Sequence, residues 1–135
     1  MEPLTMTTET QVQTSEIVTA FLSVWTDALS AGDFKALSEL FDESALFAAT
    51  GPHPLQGRSQ IQTYYEQAPK GLCVRTSVLF ATRPVPDLVH ALAEVAFEAP
   101  GGVSLQGRLG LSLIRSPQGW RVSFYQLTAN RPATV

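Results

Sequence analysis

Residues 88–128 read LVHALAEVAFEAPGGVSLQGRLGLSLIRSPQGWRVSFYQLT. Three runs rich in β-branched, aromatic and aliphatic residues, Leu88–Glu98, Val103–Ile114 and Trp120–Thr128, are separated by Pro100-Gly101-Gly102 and Ser116-Pro117-Gln118-Gly119. Pro, Gly and Ser in clusters this short reverse the chain and do not continue a strand. A fourth run, Leu72–Thr82, precedes them across Pro84-Val85-Pro86-Asp87. Four strands joined by short turns predict an antiparallel meander.

Upstream the period changes. Ile17, Phe21, Trp25 and Ala28 recur at helical spacing, with Val18, Leu22 and Leu29 widening the stripe. Ser15 is the expected cap and Gly32 the expected left-handed stop. Asp33 then caps a short second helix burying Phe34, Leu37, Leu40 and Phe41. A short strand is expected over Ser44–Ala49, and Pro52-His53-Pro54 must be loop because proline removes a backbone donor. Gly57 precedes a third helix in which Ser59 and Gln62 fit a capping box, with Ile61, Tyr64 and Tyr65 on its apolar side. Helices first and a meander after them predict an α+β domain, three helices on one face of a curved, mostly antiparallel sheet. The domain is expected over 15–130, between a flexible tail at 1–14 and a short one at 131–135.

Turn positions set the expected register. If Ser116 and Gly119 close a two-residue hairpin, Leu113 pairs with Val122, Leu111 with Phe124 and Leu109 with Gln126. If Glu98 faces Ser104, Glu94 faces Arg108, and Val95 and Phe97 join Leu105, Leu109 and Leu111. The inner face then carries one polar residue, Gln126. The outer face carries His90, Glu94, Glu98, Arg108, Ser112, Ser123 and Tyr125. A pocket between sheet and helices would be lined by Trp25, Phe47, Tyr64, Tyr65, Phe97, Leu109, Phe124 and Gln126, apolar walls with a few polar anchors.

With 135 residues, a 44% apolar fraction and a net charge of -3, the chain has the composition of one globular domain. Basic residues are scattered and form no phosphate-neutralising stripe, so nucleic acid is not an expected partner. No apolar run reaches the roughly 18 residues of a spanning helix, so no membrane is expected either. Residues 1–14 lack the basic and apolar regions of an export signal, and Cys73 is the single cysteine. A cytoplasmic location is therefore expected, with Cys73 a small buried hydrophobe. His53 and His90 sit on different elements without carboxylates at ligand spacing, so no metal and no cofactor are expected. His53, on the loop at the pocket rim, is the titratable group placed to act as acid or base.

Trp25-Thr26-Asp27-Ala28-Leu29-Ser30-Ala31-Gly32-Asp33-Phe34, then Leu55-Gln56-Gly57-Arg58-Ser59-Gln60-Ile61 running into Tyr64-Tyr65, then Gly119-Trp120-Arg121-Val122, resemble in order and spacing the nuclear transport factor 2-like superfamily. Within it the chain is most similar to the SnoaL-like and ketosteroid-isomerase-like branches. The resemblance implies a cone-shaped, cystatin-like α+β barrel with a deep apolar pocket, usually a homodimer through the outer sheet face. It also implies a cofactor-independent chemistry for those members that are enzymes. Where the isomerases carry an oxyanion-holding tyrosine, this chain has Trp25. Where they carry a general-base aspartate, Ala45-Leu46-Phe47-Ala48-Ala49 offers no carboxylate, Ala49 lying closest. Where SnoaL-like cyclases use an acidic residue on a late strand, Tyr125 and Gln126 stand. A weaker likeness, through Pro69-Lys70-Gly71-Leu72 and Gln126-Leu127-Thr128-Ala129, runs to carotenoid-binding domains. Two readings stay open: a cyclase or isomerase acting on an apolar or polycyclic molecule, with His53 or Tyr64 assisting, and a non-catalytic ligand-binding or association module. The orientation of Glu94 separates them, because an inward Glu94 would supply a base.

Overall fold

A computed structural model describes residues 8–49 and 51–130. In chain order the elements are α1 (Thr8–Ala31), α2 (Phe34–Glu39), β1 (Phe41–Ala48), β2 (Leu55–Gln56), α3 (Arg58–Glu66), β3 (Cys73–Val85), β4 (Leu88–Glu98), β5 (Ser104–Ser116) and β6 (Gly119–Ala129). The expected α+β architecture is present: three helices cover one face of a six-stranded sheet ordered β2-β1-β6-β5-β4-β3. The sheet is mixed, because β1 lies parallel to β6 while the other neighbours run antiparallel.

The first helix starts earlier than Ser15. Thr14 continues the inward stripe of Val18, Phe21, Leu22, Trp25, Ala28 and Leu29, and its Oγ1 donates to the Thr10 carbonyl at 2.8 Å. A satisfied threonine hydroxyl extends the buried face without a hydrophobic residue, which is why periodicity alone stops short. Of the tail expected over 1–14, residues 8–14 are helical; 1–7 lie outside the described residues, as do 131–135. Gly32 takes the left-handed conformation (φ 68°) that ends α1, and the Asp33 side chain accepts the Ala36 N–H at 3.1 Å, both as expected.

The capping box at Ser59 does not form. Gly57 is the cap of α3, with φ 89° and no side-chain bond. Its N–H donates to the Ala45 carbonyl at 2.9 Å and an added Cβ would stand 3.3 Å from the Glu43 carbonyl, so backbone contact with β1 selects glycine here. Gln62 instead accepts from the Ser38 hydroxyl at 3.2 Å. Phe41, expected at the end of the second helix, opens β1 and is fully buried. Cys73 is exposed on the edge strand rather than buried.

The β4–β5 register is the expected one: Glu98 faces Ser104, Glu94 faces Arg108 and Phe97 faces Leu105. Glu94 points away from the helices, on the exposed face. The ion pair observed on that face joins Arg75 and Glu98 at 2.7 Å.

The β5–β6 register holds only near the turn. Ser116 faces Gly119 and Leu113 faces Val122, but Ser112 then faces Phe124, leaving Ser123 as an extra residue in β6. This β-bulge, with the Ser123 hydroxyl donating to the Ser112 carbonyl at 3.3 Å, inverts the alternation beyond it. Leu111 therefore pairs with Tyr125 and Leu109 with Leu127. Tyr125 and Leu127 are buried, whereas Phe124 and Gln126 are exposed on the outer face, the reverse of the expectation.

The core fills the space between α1, α3 and the sheet, with Trp25, Phe41, Phe47, Leu37, Ile61 and Leu109 all fully enclosed. Its centre is aromatic. Phe47 stacks on Tyr125 with centroids 4.3 Å apart and planes 8° from parallel, and meets Tyr64 and Tyr65 edge-on at 4.9 and 5.7 Å. Offset stacks and edge-to-face pairs of this kind contribute roughly 0.5–1.5 kcal/mol each beyond burial.

Candidate functional site

A cavity of about 230 Å³ opens at one end of the layered structure, where the C-terminal ends of α1, α3, β4 and β6 meet the start of β5. Its apolar walls come from Leu29, Leu72, Phe97, Leu105 and Leu127, and its polar atoms from Tyr64, Tyr65, Tyr125 and Ser104. Two turns make the rim: Pro69 and Leu72 after α3, Ala99 and Val103 around the β4–β5 hairpin. They touch, since an added Cβ on Gly71 would lie 3.3 Å from the Pro100 ring. The Ser30 hydroxyl donates to the Leu72 carbonyl at 3.1 Å and ties this rim to α1.

The polar floor is a hydrogen-bonded cluster. Trp25 Nε1–H donates to the Tyr65 hydroxyl at 3.1 Å, and the Tyr125 phenol lies close beside that of Tyr65. Burial raises both hydroxyl pKa values: the Tyr65 phenol is pushed far above the usual tyrosine range, chiefly by desolvation, and the Tyr125 phenol likewise, with Tyr65 and Tyr64 beside it opposing any charge. Both stay neutral at physiological pH and can donate or accept hydrogen bonds, but neither can act as a resting base.

The structure brings Tyr64, Tyr65 and Phe97 together in the pocket wall. Trp25 and Phe47 form a layer behind it: Trp25 is 1% exposed and reaches the cavity through Tyr65 and through an edge contact with Phe97 at 6.0 Å. Leu109 is core beneath the pocket. Phe124 and Gln126 lie on the opposite side of the sheet, so neither can bind a ligand here. His53 is exposed in the loop before β2 and does not line the cavity. Tyr125, Leu127, Leu29, Leu72 and Leu105 are the wall residues that sequence reasoning omitted from the site. Among the described residues no Asp, Glu, His, Lys or Arg lines the cavity, and Glu94 and Glu98 face outward. Among the described residues no cluster of three or more His, Cys, Asp or Glu could hold a metal, and no helix is long and apolar enough to cross a membrane.

The family profile of the SnoaL-like domain matches residues 18–130. The chain belongs to the SnoaL-like domain family. No curated protein matches its sequence. Solved structures similar to this SnoaL-like domain share its fold at low identity. A cystatin-like domain of unknown function from Nostoc punctiforme is 20% identical with a TM-score of 0.78, the match covering 95% of this chain and 82% of that one. A candidate scytalone dehydratase from Novosphingobium aromaticivorans is 12% identical with a TM-score of 0.79, covering 93% and 89%. A ketosteroid isomerase-like protein from Erwinia carotovora atroseptica is 13% identical with a TM-score of 0.72, covering 93% and 100%. The family match bears out the SnoaL-like resemblance, and the fold is the cystatin-like, ketosteroid isomerase-like one that these structures share.

Proposed function

We propose that this SnoaL-like domain binds a small, neutral, largely apolar molecule of one or two rings, and that it works by holding and shaping its ligand. One observation carries the reading: among the described residues the cavity wall contains no titratable group except phenols, and burial keeps the two innermost of these protonated. Bringing a charged ligand into such a site would strip it of water without supplying a counter-charge. Proton abstraction from a bound ligand would need a base that the wall does not contain.

Size narrows the class further. An engineered apolar cavity of about 150 Å³ holds benzene, and drug-sized ligands occupy roughly 300–1,000 Å³. At about 230 Å³ the cavity suits a compact bicycle better than a steroid or a four-ring polyketide. If the ligand reacts, cyclisation or dehydration would proceed by conformational control, with Tyr64 or Tyr65 as hydrogen-bond donor. The fold relationship to a candidate scytalone dehydratase supports that class by analogy alone.

The test uses two naphthalene fluorophores of matched size, a neutral ketone and an anionic sulfonate. The ketone should bind, the sulfonate at least tenfold more weakly, and Leu105→Trp, which fills the cavity, should abolish ketone binding in a protein that still melts cooperatively. Equal affinity for the two fluorophores, or ketone binding unaffected by Leu105→Trp, overturns the reading.

A second reading concerns the outer sheet face, for which we propose a homodimer contact. Leu46, Phe124, Leu92 and Phe80 form an exposed apolar row across β1, β6, β4 and β3, with Phe80 69% exposed. Gly110 leaves a dent between them. Contiguous apolar surface of this kind marks an association site. Sedimentation at micromolar concentration should give a dimer that Phe80→Asp converts to monomer; a wild-type monomer would remove the proposal.

A further inference from the structure

At the end of the sheet opposite the pocket mouth, a cleft of about 680 Å³ runs between α1 and the turn that joins β5 to β6. One wall is apolar: Ile17, Ala20, Phe21 and Val24 of α1, with Leu40 beside them. The stretch from Ile17 to Val24 is about 10 Å long at the helical rise. The other wall is cationic. Arg83, Arg115 and Arg121 come from three different strands and converge around Trp120.

These arginines are held in place. The guanidinium carbons of Arg83 and Arg115 lie 5.4 and 5.0 Å from the Trp120 ring centroid. Arg83 Nε and Arg115 Nη2 both donate to the Pro86 carbonyl, at 2.9 and 3.2 Å, so two like charges share one oxygen. Arg121 Nη1 donates to the Trp120 carbonyl at 3.1 Å. Cation–π stacking fixes the guanidinium planes, and a planar fork fixed in position loses little freedom on taking an oxyanion. Only part of the donor set is used. Among the described residues, both Nη groups of Arg83, Nη1 of Arg115 and Nε and Nη2 of Arg121 have no partner, and Asp87, 3.6 Å from Arg115, is the one acidic side chain paired with any of the three. Three guanidiniums set against Asp87 and the cleft residue Glu16 leave one positive charge in excess, in a chain whose net charge is -3.

We infer that this cleft is a second ligand site, for a monocarboxylate carrying an apolar body, its carboxylate taken by Arg83 and Arg121 beside Trp120 and its body laid along Ile17, Ala20 and Val24. A single excess charge matches a carboxylate rather than a phosphate dianion. Bidentate guanidinium–carboxylate pairing supplies the polar anchor, and the α1 stripe supplies the burial. The site is independent of the neutral pocket at the other end.

Decanoate and decanol, equal in chain length and differing in charge, test it. Trp120 is the reporter, because Trp25 is enclosed and Trp120 is partly exposed. Decanoate should change tryptophan emission saturably, at least tenfold more tightly than decanol, and more weakly at high salt. Trp120→Phe should remove the signal. Arg83→Gln with Arg121→Gln should weaken binding at least tenfold by calorimetry while leaving the melting transition in place, and Leu105→Trp at the other pocket should leave it unchanged. Equal affinity for decanol, full decanoate affinity in the arginine variant, loss of binding in Leu105→Trp, or no binding at millimolar decanoate would each overturn the inference.

Discussion

Replacing Tyr65 by phenylalanine removes one oxygen atom from the centre of the aromatic core and leaves the ring in place. That oxygen accepts the Trp25 indole N–H at 3.1 Å, and the Tyr125 phenol lies close beside it. Trp25 is 1% exposed and Tyr125 3% exposed, so water cannot replace the lost partner without opening the core. A buried donor left unpaired costs about 1–3 kcal/mol, while the vacated space is too small for a substantial cavity term. Among the described residues the indole N–H has no other acceptor, whereas the Tyr125 hydroxyl can turn toward the cavity, so the expected loss is one such penalty, about 1–3 kcal/mol. For a domain of this size that lowers Tm by about 4–12 °C. Urea denaturation at pH 7 measures it directly: the midpoint should fall with the slope unchanged, since the surface exposed on unfolding is the same. A double-mutant cycle with Trp25→Phe should return a coupling of about 1–3 kcal/mol, because Tyr65→Phe costs little once the indole is gone. A loss below about 0.3 kcal/mol, or a cycle with no coupling, would refute the hydrogen bond as the feature that fixes the pocket floor.

The remaining predictions concern pH, backbone and register. Tyr65 and Tyr125 have folded-state pKa values raised above about 10, their unfolded value, so the unfolded chain releases protons first. Stability should therefore be level up to pH ~9.5 and fall above ~10 by up to about 1.4 kcal/mol per pH unit for each tyrosine; two of the chain's three tyrosines should stay un-ionised at 295 nm until it unfolds. Gly107→Ala would place a Cβ 2.6 Å from the Thr128 carbonyl, so β5 and β6 must separate locally and stability should drop by about 2 kcal/mol or more in the same urea assay. Deleting Ser123 removes the bulge but keeps Leu113 opposite Val122, Leu111 opposite Tyr125 and Leu109 opposite Leu127, so Tyr125 and Leu127 stay inward; the variant should keep a cooperative transition, and loss of that transition would contradict the register. Glu94→Gln, Gln126→Ala and His53→Ala should leave binding of the neutral naphthalene ketone unchanged within twofold, since none of the three lines the cavity.

Element order was legible because each signal was local: helical spacing from Ile17 to Leu29, glycines at Gly32 and Gly57, and turn clusters between strands. The β4–β5 pairing was legible because its turn and its alternation agree. The end of β6 was misread because its two signals conflict. Counted from the turn, Trp120, Val122 and Phe124 form the inward set; counted back from the C-terminal end, Tyr125, Leu127 and Ala129 do, with polar Gln126 and Thr128 between them. Both are correct on their own side of Ser123, and a change of parity within one strand is how a bulge shows in sequence. That one residue decides half of the site, exchanging Phe124 and Gln126 for Tyr125 and Leu127. The start of α1 was missed because Thr14 is buried by satisfying its hydroxyl locally, which no hydrophobic count registers. Cys73 was misplaced because average burial says nothing about a residue on an edge strand.

The parallel pairing of β1 with β6 joins the earliest strand to the last one made. Phe41 finds Val122, and Phe47 finds Tyr125, across on the order of 80 intervening residues. At synthesis rates of 5–20 residues per second, β1 waits about 4–16 s for its neighbour to exist. Until then Phe41 and Phe47 have α2, α3 and the two-residue β2 for company and no sheet to join. A chain stopped before Gly119 would hold two separate fragments of sheet, β1 with β2 and β3 with β4 and β5, and no closed pocket. The domain is thus completed by its final eleven-residue strand. A synthetic peptide of that strand, added to the truncated chain, is the natural candidate to restore both the fold and the cavity in one step.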